Sequence, residues 1–376
     1  MPAFNVLEPA IDPNNRITFL LDWELTMKCN LDCSYCSTDI DIGGHNNSIP
    51  HPPVSECLSS IDFMFEYVDL YMRQKPRGIK YVVLNVYGGE SLHHPGIVEI
   101  LSQIRGKHKI YADCWHLTVT TTTNAIVSDK KIRQIIPYID EFTVSYHAEN
   151  TYKQKKQFKD NLLTIAGAGV RQKCVVLMHQ KSDLFQDSVS MIEWLDQNNI
   201  KVLPRQLDGH VGLDGDRIYN QQQVKWFGKL YKYKTFEAQE ELLQDKSDSV
   251  LTDVGRACCG GRQLCTNENL KQRHFYVENK FPDWYCSVNH FFLFVKQVNG
   301  EVFVNKDCKM NFDGGVGPIG NLSHSHEILR RLRSQLENNE LPIIQCKKSM
   351  CLCGLCAPKA KTLDVYKSIM KKYQTL

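Results

Sequence analysis

Six short apolar runs, rich in β-branched residues and separated by five amphipathic helical stretches, fill the first two-thirds of this 376-residue chain. The strand-like runs lie at 17–24, 80–87, 115–122, 141–146, 173–179 and 201–206, and the helical patterns at 54–75, 95–106, 128–137, 151–168 and 184–197. Alternation of this kind implies crossover connections, so the strands are expected to run parallel with helices outside them. A partial barrel and a doubly wound sheet both satisfy the pattern. In either, ligands gather at the C-terminal ends of the strands.

Beyond residue 206 the rhythm changes. A charged helical segment is expected over 217–245, followed by the polar run Asp245-Lys246-Ser247-Asp248-Ser249. We place a domain boundary near 245, giving a domain over 1–245 and a small Cys- and Gly-rich α+β domain over 246–376. The second contains one expected hairpin, 291–298 and 301–305, turning at Asn299-Gly300. The basic stretch 359–372 reads as a helix with a solvated face.

Composition enters at the cysteines. Fifteen are present, three between 29 and 36 and nine between 258 and 356. No run is apolar and long enough to span a membrane, and no basic-then-apolar signal pattern opens the chain, so a cytoplasmic location is expected. In that reducing compartment clustered cysteines read as metal or iron–sulfur ligands, not as disulfides. Cys57, Cys114 and Cys174 stand apart and read as small buried hydrophobes. The net charge of +3 is small for this length and points to neither nucleic acid nor an anionic membrane as partner.

The first cluster, Cys29-Asn30-Leu31-Asp32-Cys33-Ser34-Tyr35-Cys36, follows directly on the first strand and reads C-x3-C-x2-C. Three thiolates on one loop suit three irons of a [4Fe–4S] cubane and leave the fourth open. A structural zinc loop with a distant fourth ligand is the competing reading. With its aromatic residue before the last cysteine, the motif resembles that of the radical S-adenosylmethionine (SAM) superfamily. Further matches follow in order. Gly88-Gly89-Glu90 resembles the family's GGE, Thr122-Thr123-Asn124 its TNG, and Val144-Ser145-Tyr146-His147 its V-S-x-D. Ser91 stands where the family commonly has proline, and His147 where it has aspartate.

The resemblance covers residues 17–206 and implies a partial (β/α)6 barrel. It further implies a [4Fe–4S] cluster on Cys29, Cys33 and Cys36, with SAM held by Tyr35, Gly88, Gly89, Glu90, Asn124 and Ser145. Tyr35 would lie against the adenine and Glu90 would meet the SAM amino group. Arg205, at the end of the sixth strand, carries a planar fork suited to the SAM carboxylate or to a structural ion pair. His147 and His179 are weighed as proton donors against a purely hydrogen-bonded role. The polar loop 42–47 reads as a cover for the site. The chemistry implied is reductive cleavage of SAM to a 5′-deoxyadenosyl radical, then hydrogen-atom abstraction from a substrate.

In the second cluster, Cys286 and Cys308 flank the hairpin, and Cys346-x4-Cys351-x-Cys353-x2-Cys356 closes the region, with Cys258, Cys259 and Cys265 upstream. The arrangement resembles the SPASM and twitch extensions of radical SAM enzymes, which hold one or two auxiliary [4Fe–4S] clusters. Its spacings differ from theirs, and a zinc-binding tail remains an alternative. An auxiliary cluster favours net oxidation or cross-linking of a peptide or small molecule. The competing functions are a redox-neutral radical rearrangement and a non-catalytic iron–sulfur protein. With the first cysteine at 29, no leader-binding domain is expected ahead of the barrel. A flavodoxin- or ferredoxin-type electron donor is expected as partner.

Overall fold

The computed structural model describes residues 6–7, 16–36, 45–75, 78–207, 219–232, 283–305, 316–347 and 358–374. The boundary near 245 and Cys258, Cys259, Cys265, Cys308, Cys351, Cys353 and Cys356 lie outside them.

Strand β1 is Val6–Leu7, and the six parallel strands follow as β2 (Arg16–Thr26), β3 (Ile79–Gly88), β4 (His116–Thr123), β5 (Glu141–His147), β6 (Arg171–Met178) and β7 (Lys201–Gln206). Between them run helices α1 (Val54–Arg73), α2 (Ile97–His108), α3 (Asp129–Ile135), α4 (Tyr152–Gly167) and α5 (Ser182–Gln197). These elements match the sequence-based expectation to within two or three residues. Spatial order equals chain order, β2-β3-β4-β5-β6-β7, with every neighbouring pair parallel. A doubly wound sheet would reverse direction part-way. Consecutive right-handed crossovers put all the helices on one face instead. The result is a partial (β/α)6 barrel.

Period-2 burial shows which face is which. Along β3, Val82, Leu84 and Val86 are buried beneath the helices, while Tyr81, Val83, Asn85 and Tyr87 are half-buried on the concave face. Strands β4, β5 and β6 repeat the alternation. Phe19 of β2 packs its ring against Tyr71 of α1 at 5.3 Å between centroids. Cys57 and Cys174 are buried as expected, whereas Cys114, beside the turn into β4, is only partly buried; Trp115 and Tyr146 are also in the core. Local signals support the helices: Thr151 and Gln154 form a capping box on α4, and Ser128 caps α3.

Helix α6 (Gln221–Lys232) covers part of the expected 217–245 segment. The C-terminal part contributes β8 (Tyr285–Cys286), β9 (Phe292–Lys296), β10 (Glu301–Phe303), β11 (Gly320–Asn321), α7 (Ser325–Glu337), β12 (Ile344–Gln345), β13 (Lys359–Ala360) and α8 (Leu363–Gln374). The helix read over 359–372 thus starts later, because 359–360 pair as a strand with β8 and with β1. The expected hairpin forms as β9–β10, with Gly300 at φ +71° in the turn. One feature was not expected: β9 runs parallel to β2 and hydrogen-bonds to it, so the hairpin, with β11 paired to β10, extends the barrel sheet to nine strands.

Candidate functional site

Strand β2 ends in a register shift against β3 between Glu24 and Thr26, and the cysteine loop springs from that irregular rim. Close approach is what requires the two glycines. A Cβ on Gly88 would lie 2.1 Å from the Thr26 carbonyl oxygen, and one on Gly89 2.6 Å from those of Met27 and Lys28. Gly89 N–H donates to Thr26 O at 2.8 Å, and Glu90 N–H to Lys28 O at 2.8 Å. The glycines therefore seat the end of β3 against the start of the cysteine loop, a role within the chain itself.

Glu90 is fully buried, and its carboxylate accepts three internal donors. These are Leu92 N–H at 2.9 Å, the Thr123 hydroxyl at 2.7 Å and Asn124 N–H at 2.6 Å. It ties the end of β3 to the end of β4. Burial raises its pKa, and the three donors pull the other way. Asn124 in turn donates to Asn30 Oδ1 at 2.8 Å and lies 3.8 Å from Cys29 Sγ. Asn30 Nδ2 donates to Ile126 O at 2.6 Å. The return arm of the loop is fixed as well: Asn46 N–H donates to Met27 O, and Cys29 N–H to Asn47 Oδ1 at 2.9 Å. Of the loop expected at 42–47, residues 45–47 are described and brace the cysteines.

On the other flank, Tyr35 is buried and stacked on His147 at 5.9 Å and 7°, with its hydroxyl 2.5 Å from His147 Nδ1. Cys33 Sγ is 3.4 Å from the same nitrogen. Burial holds His147 down to about 4, so it is neutral near pH 7. Glu149, just beyond β5, was not singled out from the sequence. It accepts from Ser34 N–H at 2.8 Å and the Ser34 hydroxyl at 2.5 Å. His179 Nδ1 accepts from Lys181 N–H, which leaves the ring proton on Nε2, 3.4 Å from Glu149 Oε1. The signal available for Glu149 was its place at a strand's C-terminal end, where charged residues gather for function.

The fold thus brings Cys29, Cys33 and Cys36 together at the mouth of the barrel. Each sits within electrostatic reach of another, Cys33 of both others. Burial pushes the Cys29 and Cys33 thiols up to about 12 and raises that of Cys36. Protons leave such buried thiols readily only when a metal takes their place. Among the described residues no three His, Cys, Asp or Glu side chains converge on one point as ligands of a single ion would. Three thiols on one loop can each take a different iron of a cubane, or share one zinc with a fourth ligand from elsewhere. Leu31 N–H, 3.4 Å from Cys29 Sγ, is the kind of donor that tunes such a cluster.

The remaining candidates occupy the same end. Ser145 is half-buried on the concave face of β5, and Arg205 of β7 is exposed and in register with Leu177. Cys286 ends β8, and Cys346 directly follows β12, the antiparallel strand beside it. Ile344 is opposite Cys286, and Cys346 N–H donates to Trp284 O at 2.8 Å. The two cysteines are therefore diagonal neighbours on one face, with backbones about 7–8 Å apart.

Among the described residues no helix is long and apolar enough to cross a membrane. No protein-family model matches the chain, and no curated protein matches it in sequence. Solved structures do resemble it. Native anSMEcpe with bound AdoMet superposes with a TM-score of 0.51 at 11% identity, over 94% of this chain and 96% of that one. Native anSMEcpe with bound AdoMet and Kp18Cys peptide gives 0.52 at 10% identity, over 95% and 96%. The complex with Cp18Cys peptide gives 0.50 at 11%, over 87% and 84%. At such identities the likeness speaks for the fold alone, a mixed α/β fold around a parallel sheet that this chain has in common with those structures.

Proposed function

We propose that the chain is a radical SAM enzyme whose [4Fe–4S] cluster is held by Cys29, Cys33 and Cys36. The observation that carries this reading is the gathering of three thiols, one buried and two partly buried, at the C-terminal mouth of a six-stranded partial barrel. Bound there, cluster and SAM would supply reductive cleavage of the sulfonium and hydrogen-atom abstraction from a substrate.

The chain's own groups then have separable tasks. Gly88 and Gly89 seat the cysteine loop on the sheet. Glu90 ties β3 to β4 through three donors, and the acceptor site they leave on its carboxylate would meet the SAM ammonium. Tyr35, with His147 at its back, offers a fixed aromatic wall. Glu149 holds the loop through Ser34. Asn124, Ser145 and Arg205 are the polar groups we assign to SAM at the ends of β4, β5 and β7.

For the outcome, we favour net oxidation or cross-linking of a peptide or small molecule, assisted by one or two auxiliary clusters. Cys286 and Cys346, diagonal on one ladder, support a shared auxiliary ligand set. Cys265, Cys308, Cys351, Cys353 and Cys356 would complete it. The peptides bound in two of the similar structures favour a peptide substrate. A flavodoxin- or ferredoxin-type donor would supply the electron.

The test counts iron and sulfide in anaerobically reconstituted protein, wild type beside Cys29→Ala/Cys33→Ala/Cys36→Ala, with 5′-deoxyadenosine measured under dithionite and SAM. The variant is expected to lose about four irons and all 5′-deoxyadenosine, and to retain about four or eight irons on the C-terminal cysteines. Absence of 5′-deoxyadenosine from the wild type would sink the enzyme reading. Absence of iron from the variant would remove the auxiliary clusters and move a redox-neutral reaction ahead.

A further inference from the structure

The concave face of the barrel is built in rows across neighbouring strands. The lowest is apolar: Leu20 and Val83 pack with Phe292, Val304 and Ile344. One pleat higher, Phe294, Asp22, Asn85, Thr120 and Glu141 stand in register across β9, β2, β3, β4 and β5. Here Asn85 Nδ2 donates to Asp22 Oδ1 at 3.1 Å. The hydroxyls of Thr120 and Thr122 donate to Asn85 Oδ1 at 3.3 and 3.4 Å. Every hydrogen bond in this chain points one way, toward the carboxylate. It leaves the hydroxyl lone pairs and the second carboxylate oxygen as acceptors, beside one remaining N–H of Asn85; the Thr120 hydroxyl also lies 3.5 Å from Leu84 O.

Charge separates Asp22 from the other carboxylates on this face. Glu141 is matched by Lys173 at 3.3 Å and Arg171 at 3.6 Å. Glu24 stands in register with Lys296. Among the described residues Asp22 has no cation and one neutral donor, and it is only half-buried. Beside it Tyr87, also half-buried, is stacked on Phe294 at 6.4 Å, which is stacked on Phe303 at 5.8 Å. A carboxylate lacking a counter-ion, flanked by acceptors and an aromatic ring, is a setting for a cation with several N–H donors.

We propose that Asp22, Asn85, Thr120 and Thr122 form the floor of the substrate chamber and hold a protonated amino group of the substrate. The proposal rests on the enzyme reading above and adds a substrate class to it. Asp22 lies four residues before the end of β2, roughly 13 Å down the barrel at about 3.3 Å per residue. The substrate is therefore elongated. Its ammonium occupies the floor, and the carbon that loses hydrogen lies several bonds away, toward the cysteine loop. Tyr87, one row above the floor, packs along the chain between them.

The test needs no turnover. Binding of n-butylammonium, butyrate and 1-butanol to the anaerobically reconstituted full chain is measured by saturation-transfer NMR. The ammonium is expected to bind about tenfold more tightly than either competitor, and Asp22→Asn to weaken it by about tenfold. Equal binding of butyrate or butanol, no binding of the ammonium to the wild type, or undiminished binding to Asp22→Asn would each overturn the proposal. Should Asp22→Asn fail to fold, the double variant Thr120→Val/Thr122→Val carries the same test, with a weakening of about threefold expected. Because 5′-deoxyadenosine is assayed separately, loss of the enzyme reading and loss of the amine subsite give different results.

Discussion

Burial sets the charge of several side chains here, and His290 shows the consequence most simply. It sits in the C-terminal part, edge-on to Tyr71 at 6.4 Å, away from the cysteine loop. Burial, helped by Lys75, holds its pKa down to about 3, against an ordinary value near 6.5. Between those values the unfolded chain takes up a proton that the folded chain refuses. Stability is therefore full above about pH 6.5 and declines as pH falls toward 3. From about pH 7 to about pH 4.5 the loss from this group is on the order of 2–3 kcal/mol. Urea midpoints across that range are expected to fall in the wild type and to fall less in His290→Gln. Parallel slopes would show that the ring is hydrated. Glu149 invites a second test at this scale. Glu149→Ala removes both contacts to Ser34, worth about 1.5 kcal/mol, and should speed iron loss to a chelator by about tenfold. Glu149→Gln, which can still accept from Ser34, should fall between. Unchanged loss in the alanine variant would deny the carboxylate its hold on the loop. The cysteines and the Gly-Gly-Glu were legible in the sequence because their spacing is local. Glu149 was not, since its partner Ser34 is 115 residues away and nothing in either neighbourhood announces the other.

Among the elements, close approach and open space make opposite predictions for the same substitution. Gly89→Ala would drive a Cβ to 2.6 Å from two carbonyl oxygens that cannot swing aside, because they belong to the backbone of the cysteine loop. Overpacking of this kind costs about 1–3 kcal/mol, and the loop, not the sheet, would yield. The variant should stay folded by circular dichroism and lose most of its iron. Gly106, within α2, has nothing within 4 Å of an added Cβ. Gly106→Ala should raise stability by about 0.5–1 kcal/mol, since alanine loses less backbone entropy in a helix. Equal effects of the two substitutions would show that helix propensity, and not approach, governs both. The six strands and five helices were readable because each carries its own period. Spatial order was not, since the same alternation fits a barrel and a doubly wound sheet. Only the consecutive pairing of β2 through β7 decides between them.

For the whole molecule, the parallel pairing of β9 with β2 ties a strand from beyond residue 245 into the barrel sheet. In the full chain β2 is flanked on both sides, by β3 and by β9, from Leu20 to Glu24. Leu20 also contributes to an apolar cluster with Cys286, Val288, Phe292, Val304 and Ile344. A parallel pair joining residues more than 270 positions apart leaves no trace in local periodicity, so the sequence pattern shows two rhythms where the fold makes one sheet. A chain ending at residue 245 would present β2 as a bare edge, with unpaired backbone groups and the apolar side chains of Leu20 and Val83 exposed. Such a truncation is expected to aggregate or to exchange its amides at 20–24 far faster than the full chain. In the full chain those amides should rank among the slowest to exchange. A soluble truncation that protects β2 fully would establish the C-terminal part as a separate domain. It would also mean that the polar floor on Asp22 is complete without the Phe294–Phe303 stack beside it. If instead β2 loosens, the cysteine loop loses its anchor as well, because the strand that receives β9 is the strand from which Cys29 emerges. Assembly of the C-terminal part and retention of iron at the barrel mouth should then fail together.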